Sequence, residues 1–111
     1  MRLLDVGGET FQRLTVLFQE SEIILRLRFY PTVALWCFDA EYKDFAIYGT
    51  TLAVGTPHMV SSNQAFDFVV SDNSGNGLDP FKADDFASGR CSLYMLEPAD
   101  MEALRGLAVE I

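Results

Sequence analysis

Histidine occurs once in this chain, at His58, and cysteine twice, at Cys37 and Cys91. With a single imidazole, the usual triads and histidine-based metal sites would have to recruit other partners from distant residues. The two cysteines lie far apart, in Leu35-Trp36-Cys37-Phe38 and Cys91-Ser92-Leu93-Tyr94. Neither has zinc spacing or a C-x-x-C redox motif, so both read as small buried hydrophobes kept reduced. Basic residues are also scarce: 8 Lys and Arg stand against 16 Asp and Glu, for a net charge of -8. Phosphate contacts need clustered cations, so binding to nucleic acid through a basic surface is not expected. Long apolar runs are missing as well. The longest stretch free of Asp, Glu, Lys and Arg runs from Phe45 to Phe66, and Gly49, Gly55, Pro57 and several Ser, Thr, Asn and Gln interrupt it. A spanning helix needs roughly 20 predominantly apolar residues, so none is expected. The N-terminal residues Met1 to Glu9 place acids where a signal peptide carries its apolar segment, and the chain is expected to stay in the compartment where it is made.

What is present is hydrophobic mass. Half of the 111 residues are hydrophobic and 13% are aromatic, with 9 Phe, 4 Tyr and 1 Trp. That composition excludes intrinsic disorder, and the length suits one domain spanning residues 1–111. The charge is uneven. Residues 1–66 hold 7 acids and 5 bases, a net of -2, and residues 67–111 hold 9 acids and 3 bases, a net of -6.

Period-two alternation dominates and predicts strands. In Phe11–Gln19, Leu14, Val16 and Phe18 alternate with Arg13, Thr15, Leu17 and Gln19. In Glu22–Tyr30, Ile23, Leu25, Leu27 and Phe29 alternate with Ile24, Arg26, Arg28 and Tyr30. The polar link Glu20-Ser21 suits a tight hairpin. A third strand is expected over Ala34–Glu41, with Trp36, Phe38 and Ala40 on one face, and Lys43-Asp44 as the turn into a fourth at Phe45–Thr50. Leu52 to Gly55 offers a short strand and Thr56-Pro57-His58 a bend. Further strands are expected at Phe66–Ser71 and Arg90–Leu96, separated by a long polar loop over 72–89. Pro98 and the early acids open a helix over 98–106, with Met101, Leu104 and Leu107 as its apolar stripe and Gly106 as its stop. The fold class is therefore all-β: a small sandwich or barrel of about six strands with a short C-terminal helix. The second and third strands are bulky on both faces, which predicts cover on both sides by a second sheet, barrel closure or a partner chain.

Candidate chemistry is thin. Ser61 and Ser62 follow His58 without a G-x-S-x-G elbow. Asp84-Asp85 invites an acid/base reading, but adjacent loop carboxylates normally point apart, and a solvated or turn-capping role is expected for them. Asp72-Asn73-Ser74-Gly75-Asn76-Gly77 partly follows the EF-hand calcium pattern, yet Ala83 stands where a bidentate Glu is needed. A tight Gly/Asn turn is the better account, with calcium kept as the alternative. No phosphate-cradling glycine loop occurs. No catalytic, cofactor-binding or metal residues are therefore assigned. Arg26 and Arg28, beside Tyr30 on one strand face, are candidates for an anion or partner contact. Phe81 and Phe86 lie in the polar loop and are expected either to pin it to the core or to dock into a neighbour.

Several segments occur together in a distinctive order. Leu25-Arg26-Leu27-Arg28-Phe29-Tyr30 precedes Leu35-Trp36-Cys37-Phe38-Asp39, and Ile47-Tyr48-Gly49 precedes Leu52 and Gly55. Phe68-Val69-Val70, Asp79-Pro80, Asp84-Asp85-Phe86, Gly89 and Leu93-Tyr94-Met95-Leu96 follow. From about Phe11 to Glu97 this resembles the cyanophage baseplate plug family of small bacteriophage tail proteins. The resemblance implies a structural subunit of a tail baseplate or tail tip, without enzyme activity or cofactor. It implies a location in the virion after synthesis in the bacterial cytoplasm, and partners among other baseplate and tail proteins or further copies of the chain. A second expectation, from another class, is a small β-barrel module binding a small ligand or carbohydrate, with Trp36, Tyr42, Tyr48 and Tyr94 lining its site.

Overall fold

The alternating segments become strands because each has one face that water disfavours. In the computed structural model, which describes residues 1–59 and 64–103, they form two antiparallel sheets. The strands are β1 (Arg2–Leu4), β2 (Phe11–Phe18), β3 (Ser21–Tyr30), β4 (Leu35–Tyr42), β5 (Phe45–Thr51), β6 (Asp67–Asp72) and β7 (Cys91–Leu96). Residues 98–103 are helical. The four-stranded sheet is a meander in the order β2-β3-β4-β5, and the three-stranded sheet has the order β1-β7-β6. The expected all-β class is thus observed, in its sandwich-like form.

The core lies between the sheets. Ile23, Leu25 and Leu27 of β3 and Trp36, Phe38 and Ala40 of β4 are buried against Phe68, Val70, Leu93, Met95 and Leu4. Phe66, just before β6, ties the layers together. Its ring meets Phe18 at 5.3 Å, Tyr42 at 5.4 Å and Phe68 at 5.8 Å, all edge-on. Such edge-to-face pairs add stabilisation beyond the area they bury. The buried Tyr42 hydroxyl donates to the Phe18 carbonyl at 3.3 Å, so its polar tip is not stranded.

Several expectations need adjustment. The first hairpin turns at Gln19-Glu20 rather than Glu20-Ser21, because Phe18 pairs with Ser21. Both turn residues have positive φ, 48° and 69°, the signature of a type I′ turn whose twist matches the flanking strands. The sequence signal for this turn was weak because neither residue is Gly or Asn. A seventh strand, β1, was not expected: three residues are too few for a period to show. The proposed strand at Leu52–Gly55 is reduced to one parallel bridge between Val54 and Val70. Part of the expected helix, residues 104–106, with its Leu104 and the neighbouring Leu107, lies outside the described residues, as do Ser61 and Ser62.

Of the covers expected for β3 and β4, the second sheet is present on one side. The inner faces of β3 and β4 are buried, but their outer faces have no second layer over them among the described residues. Phe11, Leu17 and Tyr48 on that outer side are 53%, 66% and 64% exposed.

Candidate interaction surface

The outer face of the meander can be read row by row from its register. Thr15, Ile24, Glu41 and Ala46 form one row; Arg13, Arg26 and Asp39 the next; Phe11, Arg28, Cys37 and Thr51 a third; Tyr30 and Leu35 close it. Leu17 and Glu22 lie at the opposite end. Period-two geometry puts all of these on one side. The face mixes exposed apolar groups with three of the chain's arginines. Arg26 pairs with Glu41. The Arg28 guanidinium lies over the Phe11 ring, 5.0 Å from its centroid. Arg13 sits directly across from Arg26, and no carboxylate among the described residues pairs with it. Gly49, at φ 64°, donates its N–H to the Asp39 carboxylate at 2.7 Å, where the pairing of β4 with β5 shifts register.

Of the residues singled out from sequence, Arg26 and Arg28 lie on this face. The two loop phenylalanines do not. Phe86 is buried and packs edge-on against Trp36 with ring centroids 5.5 Å apart, pinning the loop to the core. Phe81 stays 39% exposed, with the Arg90 guanidinium 4.9 Å from its ring centroid and the Lys82 ammonium 5.6 Å away. Phe11, Arg13 and Leu17 were not singled out, and Tyr48 only as one of the aromatics of a ligand site. For Phe11, Leu17 and Tyr48 a signal was available: large apolar or aromatic residues at the polar positions of otherwise regular alternation.

The loop over 72–89 is organised around Arg90. Its guanidinium donates to the Asp85 carboxylate at 2.9 and 2.8 Å and to the carbonyls of Leu78 and Asp79 at 3.1 and 2.9 Å. Asp85 also accepts the N–H groups of Phe81 and Lys82 at 2.7 and 2.8 Å. It is a loop clasp, buried and fully paired, rather than half of an acid/base dyad. The Arg90 hydrogen bonds hold its carboxyl down to about 2 against the opposing effect of burial, with the two N–H groups assisting. Asp72 is likewise held at about 2, first by the Ser74 hydroxyl and then by the Leu78 N–H. Its oxygens are thus engaged by protein donors, and no metal-holding group of three or more His, Cys, Asp or Glu side chains occurs among the described residues.

His58 is similarly engaged. Its Nε2 accepts the Ala53 N–H at 2.9 Å and its Nδ1 donates to the Phe68 carbonyl at 2.7 Å. The neighbouring Asp67, fully buried, accepts the N–H groups of His58 and Met59, each at 2.9 Å. This pair fastens the segment after Thr51 to the edge of β6. Burial pushes the Cys91 thiol up to about 11. Cys37 is half-buried on the outer face of β4.

Two concavities accompany the sandwich. One, of about 350 Å³, lies between β1 and the loop and is lined by Leu3, Val6, Phe86 and Leu93 among others. The other, a shallow groove of about 510 Å³, lies on the outer side of the three-stranded sheet along Val69, Tyr94 and Leu96. The four aromatics expected to share a ligand site do not converge. Trp36 and Tyr42 are in the core, Tyr48 is on the meander's outer face, and Tyr94 alone lines the groove.

No protein-family model matches the chain, and no curated protein is significantly similar to it in sequence.

Proposed function

We propose that this protein is a structural subunit of a bacteriophage tail baseplate or tail tip and works by protein–protein assembly. The observation that carries the assembly reading is the outer face of the β2–β5 meander. It presents Phe11, Leu17, Tyr30, Leu35 and Tyr48, each at least 36% exposed, on one continuous side. Single exposed apolar residues need no explanation, but five large ones on one sheet face, interleaved with arginines, have the make-up of an interaction surface. Aromatic residues and arginine are also the residue types enriched at interface centres. The tail baseplate as the particular assembly rests on the order of the sequence segments described above. The buried carboxylates and the histidine support the same reading, because each is consumed in holding loops rather than poised in a cleft.

The test is genetic and microscopic. Deleting the gene from a phage that carries it should give particles with incomplete or unstable baseplates under negative stain. Complementation with a variant carrying Leu17→Lys and Tyr48→Lys should fail to restore them, while the unaltered gene restores them. Infectious, normally tailed particles without the protein would sink the reading.

A further inference from the structure

The meander has two edges, and they differ. At β5 the pairing with β4 shifts register, and Gly49 takes positive φ there. Bulges of this kind discourage another strand from pairing. In the other sheet, β1 is three residues long. The free side of β6 is met by Val54, by the Gly55 N–H on the Val70 carbonyl at 3.0 Å, and by His58 on the Phe68 carbonyl. Among the described residues, β2 alone is a long open edge with regular pairing. It has eight residues, no proline and no irregularity in its pairing with β3.

The register states which backbone groups are open. A two-residue hairpin makes Phe18 and Ser21 a hydrogen-bonded pair, and such pairs then recur at every second residue. Val16 with Ile23, Leu14 with Leu25, and Gln12 with Leu27 follow; the Phe29 N–H donating to the Thr10 carbonyl at 2.8 Å continues the series. The N–H and C=O groups of Phe11, Arg13, Thr15 and Leu17 therefore point away from β3. No hydrogen bond from another described residue reaches them. Four spaced donor–acceptor pairs along a straight edge form a template for an added strand.

Charge narrows the occupant. A strand laid beside β2 would extend each outer-face row by one residue. In the row of Arg13, Arg26 and Asp39, the position next to Arg13 adjoins a guanidinium with no acidic partner among the described residues, whereas Arg26 beyond it is paired with Glu41. A carboxylate fits there and a cation does not, because directly opposed charges of like sign destabilise a sheet. On the inner side, the added residues would adjoin Leu14 and Val16 and should be apolar. A second copy pairing through its own β2 would bring another Arg13 to this edge, which counts against self-pairing.

We infer that β2 is a docking edge for an extended segment of a partner protein, alternating apolar residues with acidic ones and placing a carboxylate beside Arg13. The inference rests on the assembly reading of the same sheet and adds the partner's chemistry and geometry to it.

The probe is a short acetylated and amidated peptide alternating valine with glutamate, titrated into isotope-labelled protein and followed by NMR. The amides of Phe11, Arg13, Thr15 and Leu17 should shift and exchange more slowly with solvent, while those of β5 stay unchanged. A peptide with lysine in place of glutamate should bind about tenfold more weakly. Arg13→Glu should reverse that preference. Thr15→Pro removes an N–H that β3 does not use, so it should keep the native spectrum and lose the binding. Equal binding of both peptides, shifts confined to other strands, or no response at β2 would overturn the inference. A dimer in light scattering that Thr15→Pro dissolves would also overturn it, by making the occupant a second copy. Normal tails in the deletion phage alongside peptide binding at β2 would remove the baseplate reading and leave the docking edge standing.

Discussion

Asp85 and Arg90 show how one paired charge can order a long loop. Arg90 is five residues beyond Asp85 in sequence, but it closes on both that carboxylate and the carbonyls of Leu78 and Asp79. Removing the carboxylate would leave the Phe81 and Lys82 N–H groups without their acceptor and the half-buried Arg90 guanidinium with Asp72 alone, at 3.3 Å, a loss of about 1–3 kcal/mol. Asp85→Ala should therefore lower the denaturant midpoint strongly, and the loss should be visible in the fluorescence of Trp36. That indole donates to the Lys82 carbonyl at 2.9 Å and packs on Phe86, both within the clasped loop. Acid should act through the same groups. Asp72 and Asp85 are lowered from 3.8 to about 2 in the folded protein, so their contribution is complete above the unfolded value and disappears as pH falls through the folded one. Thermal stability should decline between those two values, and Asp85→Asn should flatten the decline. The cysteines should separate in thiol labelling. Cys37 should react in the native protein, and Cys91, buried and with its thiol raised to about 11, only on unfolding. Of these features, sequence reasoning left Asp85 either solvated or capping a turn, and its burial with the Phe81 and Lys82 N–H groups removes the first alternative. The clasp with Arg90 was out of reach, because it depends on where β7 begins relative to the returning loop.

At the scale of elements, β2 to β5 were legible because each turns one face toward the core and leaves the other more exposed, so the period-two signal survives in the residues themselves. The bounds shifted by a residue or two. β1 was not legible, since its three residues owe their strand conformation to β7 rather than to any pattern of their own. The Gln19-Glu20 turn was misplaced by one residue for a related reason. Its left-handed backbone is imposed by the register of the flanking strands, against the preference of both side chains. That conflict has a measurable size: relieving an L-residue of left-handed backbone is worth about 1 kcal/mol. Replacing Gln19-Glu20 with Asn-Gly should raise the melting temperature by several degrees without altering the spectrum. The surface candidates Arg26 and Arg28 were visible as polar positions on a strand. Phe86 was open to either alternative until its contact with Trp36 resolved it inward.

For the molecule as a whole, the two sides of the meander behave as different materials. Inside, Phe38→Ala should cost about 3–5 kcal/mol, since that ring is fully enclosed. Outside, the Leu17→Lys and Tyr48→Lys variant should change stability by no more than about 0.5 kcal/mol per site while weakening any association through that face. Chemical denaturation and light scattering on the same samples separate the two effects. The arrangement of sheets along the chain has a further consequence. The four-stranded sheet is one uninterrupted run of hairpins from Phe11 to Thr51, whereas the three-stranded sheet joins Arg2–Leu4 to Cys91–Leu96. During synthesis the meander can therefore close while β7 is still unmade. Until β7 arrives, the inner face of Leu25, Leu27, Trp36 and Phe38 has no complete lid, and the nascent chain carries sticky surface on both sides of a single sheet. Ribosome-stalled chains ending before Cys91 should bind a hydrophobic holdase chaperone, and chains extended past the helix should release it.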